Sequence, residues 1–130
     1  MVKQGDIIKI DFSPTQGHEQ AGYRPAVVVS NNFALTKTNL VYIAPITNTV
    51  RQFPLHVTLD ERTSTSGDIL CEQVRAFDLN NRQYTVVESL PADLLDRVLT
   101  CIIACFEETD TEEADRAEAD RAEADTADGE

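Results

Sequence analysis

Two short apolar runs, IIKIDF at 7–12 and PAVVVS at 25–30, close on a polar loop that crowds His18, Glu19, Gln20, Tyr23 and Arg24 into seven residues. No other stretch constrains the fold as tightly. Each run has the length and composition of a strand. The segment between them is punctuated by Pro14, Gly17, Gly22 and Pro25, residue types that favour turns. Side chains that grip anions or move protons are thereby gathered on a loop held at both ends by a sheet, a common way to build a small binding or catalytic site.

The rest of the chain continues the pattern. Gly5–Phe12 reads as a first strand ending before Pro14, and Arg24–Ser30 as a second, apolar enough to be buried on both faces. LVYIAPI at 40–46 is a third, with Pro45 suited to an edge or a bulge. LHVTL at 55–59 alternates as a fourth. DILCEQVRAF at 68–77 reads as one continuous fifth strand on which Gln73 and Arg75 share a face, and Tyr84–Val87 adds a short sixth. Many short strands with turn signals between them predict a small barrel or sandwich. One helix is clear. Ser89 and Pro91 are start signals, Asp93 falls in the first turn, and Leu94, Leu95, Val98, Leu99, Ile102, Ile103 and Phe106 form one apolar stripe.

The chain divides into a body, residues 1–106, and an acidic low-complexity tail, residues 107–130. The formal net charge of −12 argues against a nucleic-acid partner until its distribution is read. Residues 107–130 carry 12 acidic and 2 basic side chains, whereas the rest of the chain is near neutral. A near-neutral body accommodates a local basic groove whose RNA affinity rests on a few arginines. The tail repeats ADRAE at 114–118 and 119–123 and has no large apolar residue, so it is expected to be solvated and mostly disordered. No apolar run approaches the ~20 residues of a membrane-spanning helix, and no basic-then-apolar leader is visible, so a cytoplasmic location is expected. The three cysteines, Cys71, Cys101 and Cys105, are expected to be reduced, with Cys101 and Cys105 serving as small core residues of the helix.

The first segment resembles the signature of the MazF/PemK family of type II toxins. The matching residues are Gly5-Asp6, Asp11-x-x-Pro14, Gly17-His18-Glu19-Gln20-x-Gly22 and Arg24-Pro25 followed by an apolar strand, and Gln73 and Arg75 resemble a second family signature, E/D-Q-x-R. The resemblance covers about residues 3–106. It implies a mostly β fold with a C-terminal helix, an SH3-like small barrel, assembled as a homodimer. It also implies a metal-independent, ribosome-independent endoribonuclease that cuts single-stranded RNA, with no cofactor and a small acidic antitoxin as partner.

Cleaving RNA through its own 2′-hydroxyl requires removing the 2′ proton, protonating the 5′-oxygen and stabilising charge on the phosphorane. Arg24 suits the last task, because a guanidinium grips a phosphate with two parallel hydrogen bonds and keeps its charge; by residue type alone it could equally pair with Glu19. The resemblance implies that Arg24 is the catalytic arginine and that Thr47, at the end of the third strand, cooperates with it. Glu19 could accept the 2′ proton or orient Arg24. His18 has a side chain suited to proton transfer. In the Kid/PemK branch the matching histidine acts with an Arg-x-Asp on a later strand. This chain has Leu70-Cys71-Glu72 there, which keeps a carboxylate, loses the arginine and favours the Arg24/Thr47 version. His18, Gln20, Tyr23, Asn48, Arg51, Gln73 and Arg75 are candidate RNA contacts, with Tyr23 available either to stack on a base or to anchor the loop. His56, inside LHVTL, reads as structural. No acidic cluster in the body has metal-ligand spacing. The competing possibility is a non-enzymatic, CcdB-like toxin that binds a topoisomerase through the exposed end of its C-terminal helix.

Overall fold

A computed structural model of the chain describes residues 1–12 and 22–108. Seven strands follow one another as β1 (Asp6–Asp11), β2 (Tyr23–Val28), β3 (Leu40–Thr47), β4 (His56–Thr58), β5 (Asp68–Leu70), β6 (Arg75–Asp78) and β7 (Tyr84–Ser89). Helix α1 (Asn32–Lys37) separates β2 from β3, and α2 (Ala92–Ala104) follows β7. The strands pair antiparallel in the order β4-β5-β3-β2-β1-β7, with β6 also on β3. Among the described residues β4 and β7 do not pair, so the barrel-like sheet is not closed by hydrogen bonds.

Strand β3 organises the sheet. Its first half, Leu40–Ile43, pairs with β6, and its last residues, Ile46 and Thr47, pair with β5. The change of partner falls at Ala44-Pro45, where proline has no N–H to contribute. Pro45 therefore sits in a central strand, not at an edge, because it occupies the gap between two partners. The stretch 68–77 is correspondingly not one strand. A 3-10 turn at Cys71–Gln73 steps the chain from β5 to β6, which puts Gln73 on the turn and Arg75 on β6 instead of on a shared face.

Alternation along the strands builds two cores. Ile7, Val27, Val29, Ala44 and Ile46 face one side and pack with Leu94, Val98 and Cys101 of α2. Ile8, Ile10, Ala26, Val28, Val41, Ile43 and Phe77 face the other, where Leu35 of α1 packs against them. Sequence periodicity did not reveal α1, whose six residues are too few to show a stripe. It forms because Asn31 accepts a hydrogen bond from the Ala34 N–H and caps it. The second strand is buried on both faces only from Ala26 onward, since Tyr23 and Arg24 at its start are exposed.

Helix α2 begins after Pro91, and Ser89 belongs to β7. Leu94, Val98 and Cys101 are its buried face, each large aliphatic there contributing about 1.5–3 kcal/mol. The predicted stripe runs further than the core does, for Ile103 is 52% and Phe106 80% exposed. Cys105 is exposed too, which corrects its assignment to the core: it stands at the helix's C-cap, past the last turn that packs on the sheet. None of the three cysteines is joined in a disulfide. The segment preceding β5 is fastened to the body by side chains. Glu88 accepts hydrogen bonds from the N–H and hydroxyl groups of Ser64 and Thr65, and Arg62 bridges Asp60 to Asp93 in the first turn of α2. Among the described residues no helix is long and apolar enough to cross a membrane.

Candidate active site

The exposed start of β2 and the end of β3 come together because Ala26 pairs with Pro45 across the two strands. Tyr23 and Arg24 then lie beside Thr47, Asn48 and Thr49 around an open cleft of about 500 Å³. Two properties fit this cleft to a phosphate. Arg24 is exposed within it, and the Thr47 hydroxyl oxygen accepts the Thr49 N–H at 3.3 Å, which leaves the hydroxyl proton to donate elsewhere. The Tyr23 hydroxyl donates to Gln83 Oε1, so its ring is anchored at one end while half of its surface remains open.

A second cleft, about 510 Å³, opens on the other side of Thr47 and is bordered by Arg51, Phe53, His56, Glu72 and Gln73. Its wall is set by Asp68, a fully buried carboxylate at the start of β5. Asp68 accepts the Thr58 hydroxyl at 2.6 Å and the Arg51 N–H at 2.9 Å, so one side chain ties β4 to the loop after β3. His56 Nδ1 lies 3.3 Å from Asp68 Oδ2, buried and without a well-directed hydrogen bond, while Nε2 lies 3.2 Å from Glu72 Oε2. The His56 ring meets the Phe53 ring edge-on at 4.8 Å.

The geometry at Thr47 depends on one glycine. Gly67 has φ +121°, and a Cβ there would sit 2.0 Å from the Thr47 carbonyl oxygen. Only a residue without a side chain lets β5 approach the end of β3 this closely.

Of the residues singled out in the sequence, Tyr23, Arg24, Thr47 and Asn48 share the first cleft, and Thr47, Arg51 and Gln73 share the second. Arg75 borders neither; its guanidinium stacks over Phe12 and Phe77, at 5.5 and 5.0 Å from the ring centroids. His18, Glu19 and Gln20 lie outside the described residues, as does 109–130. Two further residues of the second cleft, His56 and Phe53, were not recognised in the sequence, nor was Asp68 behind them; His56 reads there as structural and Asp68 as part of a strand. The signal for Asp68 was a charge opening an apolar strand, which becomes meaningful only once the β4–β5 register sets Thr58 opposite it. Among the described residues no group of three or more His, Cys, Asp or Glu is arranged to hold a metal ion.

A small antiparallel sheet with one C-terminal helix is the fold of MazF proteins. Residues 3–106 match the PemK-like, MazF-like toxins of type II toxin–antitoxin systems, and the chain belongs to that family. It is 40% identical over 73 residues to the endoribonuclease toxin MazF of Escherichia coli strain K12, a match spanning 56% of this chain and 65% of that protein. It is 34% identical over 85 residues to the endoribonuclease MazF of Staphylococcus saprophyticus, covering 62% of this chain and 71% of the relative. A crystal structure of MazE–MazF from Deinococcus radiodurans superposes with a TM-score of 0.75 at 30% identity, over 83% of this chain and 97% of the other.

Proposed function

We propose that the protein is an endoribonuclease toxin that cuts single-stranded RNA at a short sequence without a metal ion and without the ribosome. The observation that carries this reading is the meeting of Arg24 and Thr47 in one cleft. RNA binds with the scissile phosphate against the Arg24 guanidinium. The 2′-oxygen of the preceding nucleotide attacks phosphorus and gives up its proton, with Glu19 of the loop as the acceptor. Negative charge grows on the non-bridging oxygens, where the fixed positive charge of Arg24 and the Thr47 hydroxyl stabilise it. The bond to the 5′-oxygen breaks, and that oxygen takes up a proton. The products are a 2′,3′-cyclic phosphate and a 5′-hydroxyl. Names of relatives support the activity, and the MazE–MazF complex from D. radiodurans supports a MazE-like antitoxin as partner. The working form is a cytoplasmic homodimer, in which Ile103 and Phe106 are candidates for contact surface.

The exposed end of α2 also favours a second reading, a CcdB-like toxin that binds a topoisomerase through that end. One assay separates the two. Purified protein is incubated with end-labelled RNA in EDTA, and the new termini are mapped. Cleavage leaving cyclic phosphate and 5′-hydroxyl ends is expected. Intact RNA, or cleavage only when a divalent metal is restored, contradicts the proposal.

A further inference from the structure

The two clefts that meet at Thr47 differ in chemistry. The Arg24 cleft offers a cation and a hydroxyl donor. The other sets a carboxylate, Glu72, beside an aromatic face, Phe53, with Arg51 also on its border. A carboxylate repels a phosphate, so the part of the second cleft formed by Glu72 and Phe53 suits a nucleobase, while Arg51 is left to meet the backbone. Single-stranded RNA is read in this manner, by stacking on aromatic rings and hydrogen bonding to splayed-out base edges. We propose that this cleft selects guanine at a position adjacent to the cut, with Glu72 as the specificity-determining residue. The inference rests on the nuclease reading only for the position of the base relative to the cleaved bond.

The choice of guanine follows from hydrogen-bond polarity. An ionised carboxylate only accepts. Guanine alone presents two adjacent donors, N1–H and the N2 amino group, on its Watson–Crick edge, which match the two oxygens of one carboxylate. Adenine and cytosine place an acceptor ring nitrogen next to their amino group, and uracil flanks its single N–H with carbonyl oxygens. Each of these would turn a lone pair toward Glu72.

The structure holds this carboxylate in place. His56 Nε2 lies 3.2 Å from Glu72 Oε2 and donates to it in the tautomer that carries the proton on Nε2. His56 is itself only 10% exposed and is backed by the buried Asp68 at 3.3 Å. Gln73 Nε2 donates to the same Oε2 at 3.4 Å. The described residues supply no hydrogen bond to Oε1, so a bidentate guanine takes that oxygen as it stands and displaces the long, exposed Gln73 bond from Oε2. Phe53 is 45% exposed, so ring surface remains for stacking. Its contact with Oε2 makes His56 a positioning residue that fixes the rotamer of the reading group.

The test combines cleavage of a randomised RNA library with nucleoside binding. Sequencing the cut ends of the full-length protein's products should show one position next to the cut at which guanine is favoured about 5- to 150-fold over other bases, the range expected of one good bidentate base contact. In Glu72→Gln the carboxamide carries one donor and one acceptor, which complements adenine and cytosine, so preference at that position should move from guanine toward those two bases. His56→Ala should weaken the guanine preference without redirecting it. Guanosine should shift the backbone amide resonances of Phe53, Glu72 and Gln73 more than adenosine does. Cleavage with no guanine preference, a uniform loss of rate in Glu72→Gln with unchanged site choice, or equal shifts with both nucleosides overturns the inference. Failure to cleave any RNA while guanosine still binds overturns the nuclease reading and leaves the guanine subsite standing.

Discussion

Substituting Gly67 by alanine probes the strand contact that positions Thr47. The new Cβ would stand 2.0 Å from the Thr47 carbonyl oxygen, 2.9 Å from its carbon and 3.3 Å from the Asn48 Cα. The first two are backbone atoms well inside van der Waals contact, so no side-chain rotation relieves the clash and the strand ends must separate by about 1 Å or more. Two costs follow. The positive φ of +121° strains an L-residue by about 1–3 kcal/mol. Separation also weakens the Thr47–Asp68 end of the β3–β5 ladder, at about 0.5–1.5 kcal/mol per hydrogen bond lost. The sum is about 2–5 kcal/mol, a fall in Tm of at least ~10 °C for a domain of this size. Gly22 supplies the control. Its φ of +120° is nearly the same, yet among the described residues a Cβ there meets nothing within 4 Å. Gly22→Ala carries the strain alone, so the difference between the two variants isolates the close approach. Thermal unfolding by circular dichroism, paired with a cleavage rate, reads both stability and site geometry. Gly67→Ala should be the less stable of the two and should cleave at least tenfold more slowly even well below its Tm. Equal Tm values with undiminished cleavage by Gly67→Ala would refute the claim that this glycine sets the position of Thr47.

Burial would raise the Glu88 carboxyl's pKa, but the Ser64 and Thr65 donors outweigh it and hold the value at about 2 against an ordinary 4.5. A depressed value means that the stabilisation is complete above pH 4.5 and lost as pH falls toward 2, about 1–2 kcal/mol after discounting for partial exposure. Urea midpoints of the native protein and Glu88→Gln should therefore differ at pH 7, draw together below pH 4.5 and converge only as pH approaches 2, and a constant gap contradicts the assignment. Leu94→Ala empties a buried site under α2 and should lower stability by about 2–5 kcal/mol in a denaturant titration, whereas a loss under 1 kcal/mol would mean that the helix is not seated on the first core. Ending the chain at Glu108 removes most of the acidic residues of 107–130, and competition between them and RNA predicts a rate increase largest at low salt. Equal rates at every salt concentration would leave those residues no part in the cleft.

The strand–loop–strand segment and the helix were legible because their signals are local. Turn residues bound IIKIDF and PAVVVS, and leucine and valine recur at helical spacing over 94–106. What escaped notice depends on pairing between distant segments. DILCEQVRAF reads as one strand until β3 is seen to change partners at Pro45, which forces the turn at Cys71–Gln73. Asp68 looks unremarkable until β4 sets Thr58 against it, and His56 acquires a role only when Asp68 and Glu72 arrive on either side. The overhang of Ile103 and Phe106 was likewise hidden, since periodicity marks a face as apolar without saying how much of it a single chain covers.

The proposed nuclease activity places RNA cleavage in the cleft that joins Arg24 to Thr47. Single-turnover cleavage of an end-labelled RNA in EDTA, comparing the native protein with Arg24→Ala of matching circular dichroism and oligomeric state, tests it most directly. Removing one preorganised donor to a developing oxyanion typically lowers the rate by about 10²–10³-fold, and loss of a full charge should reach at least that, with Thr47→Ala losing less because a neutral hydroxyl is the weaker donor. Cleavage by folded Arg24→Ala within a few-fold of the native rate would contradict the claim.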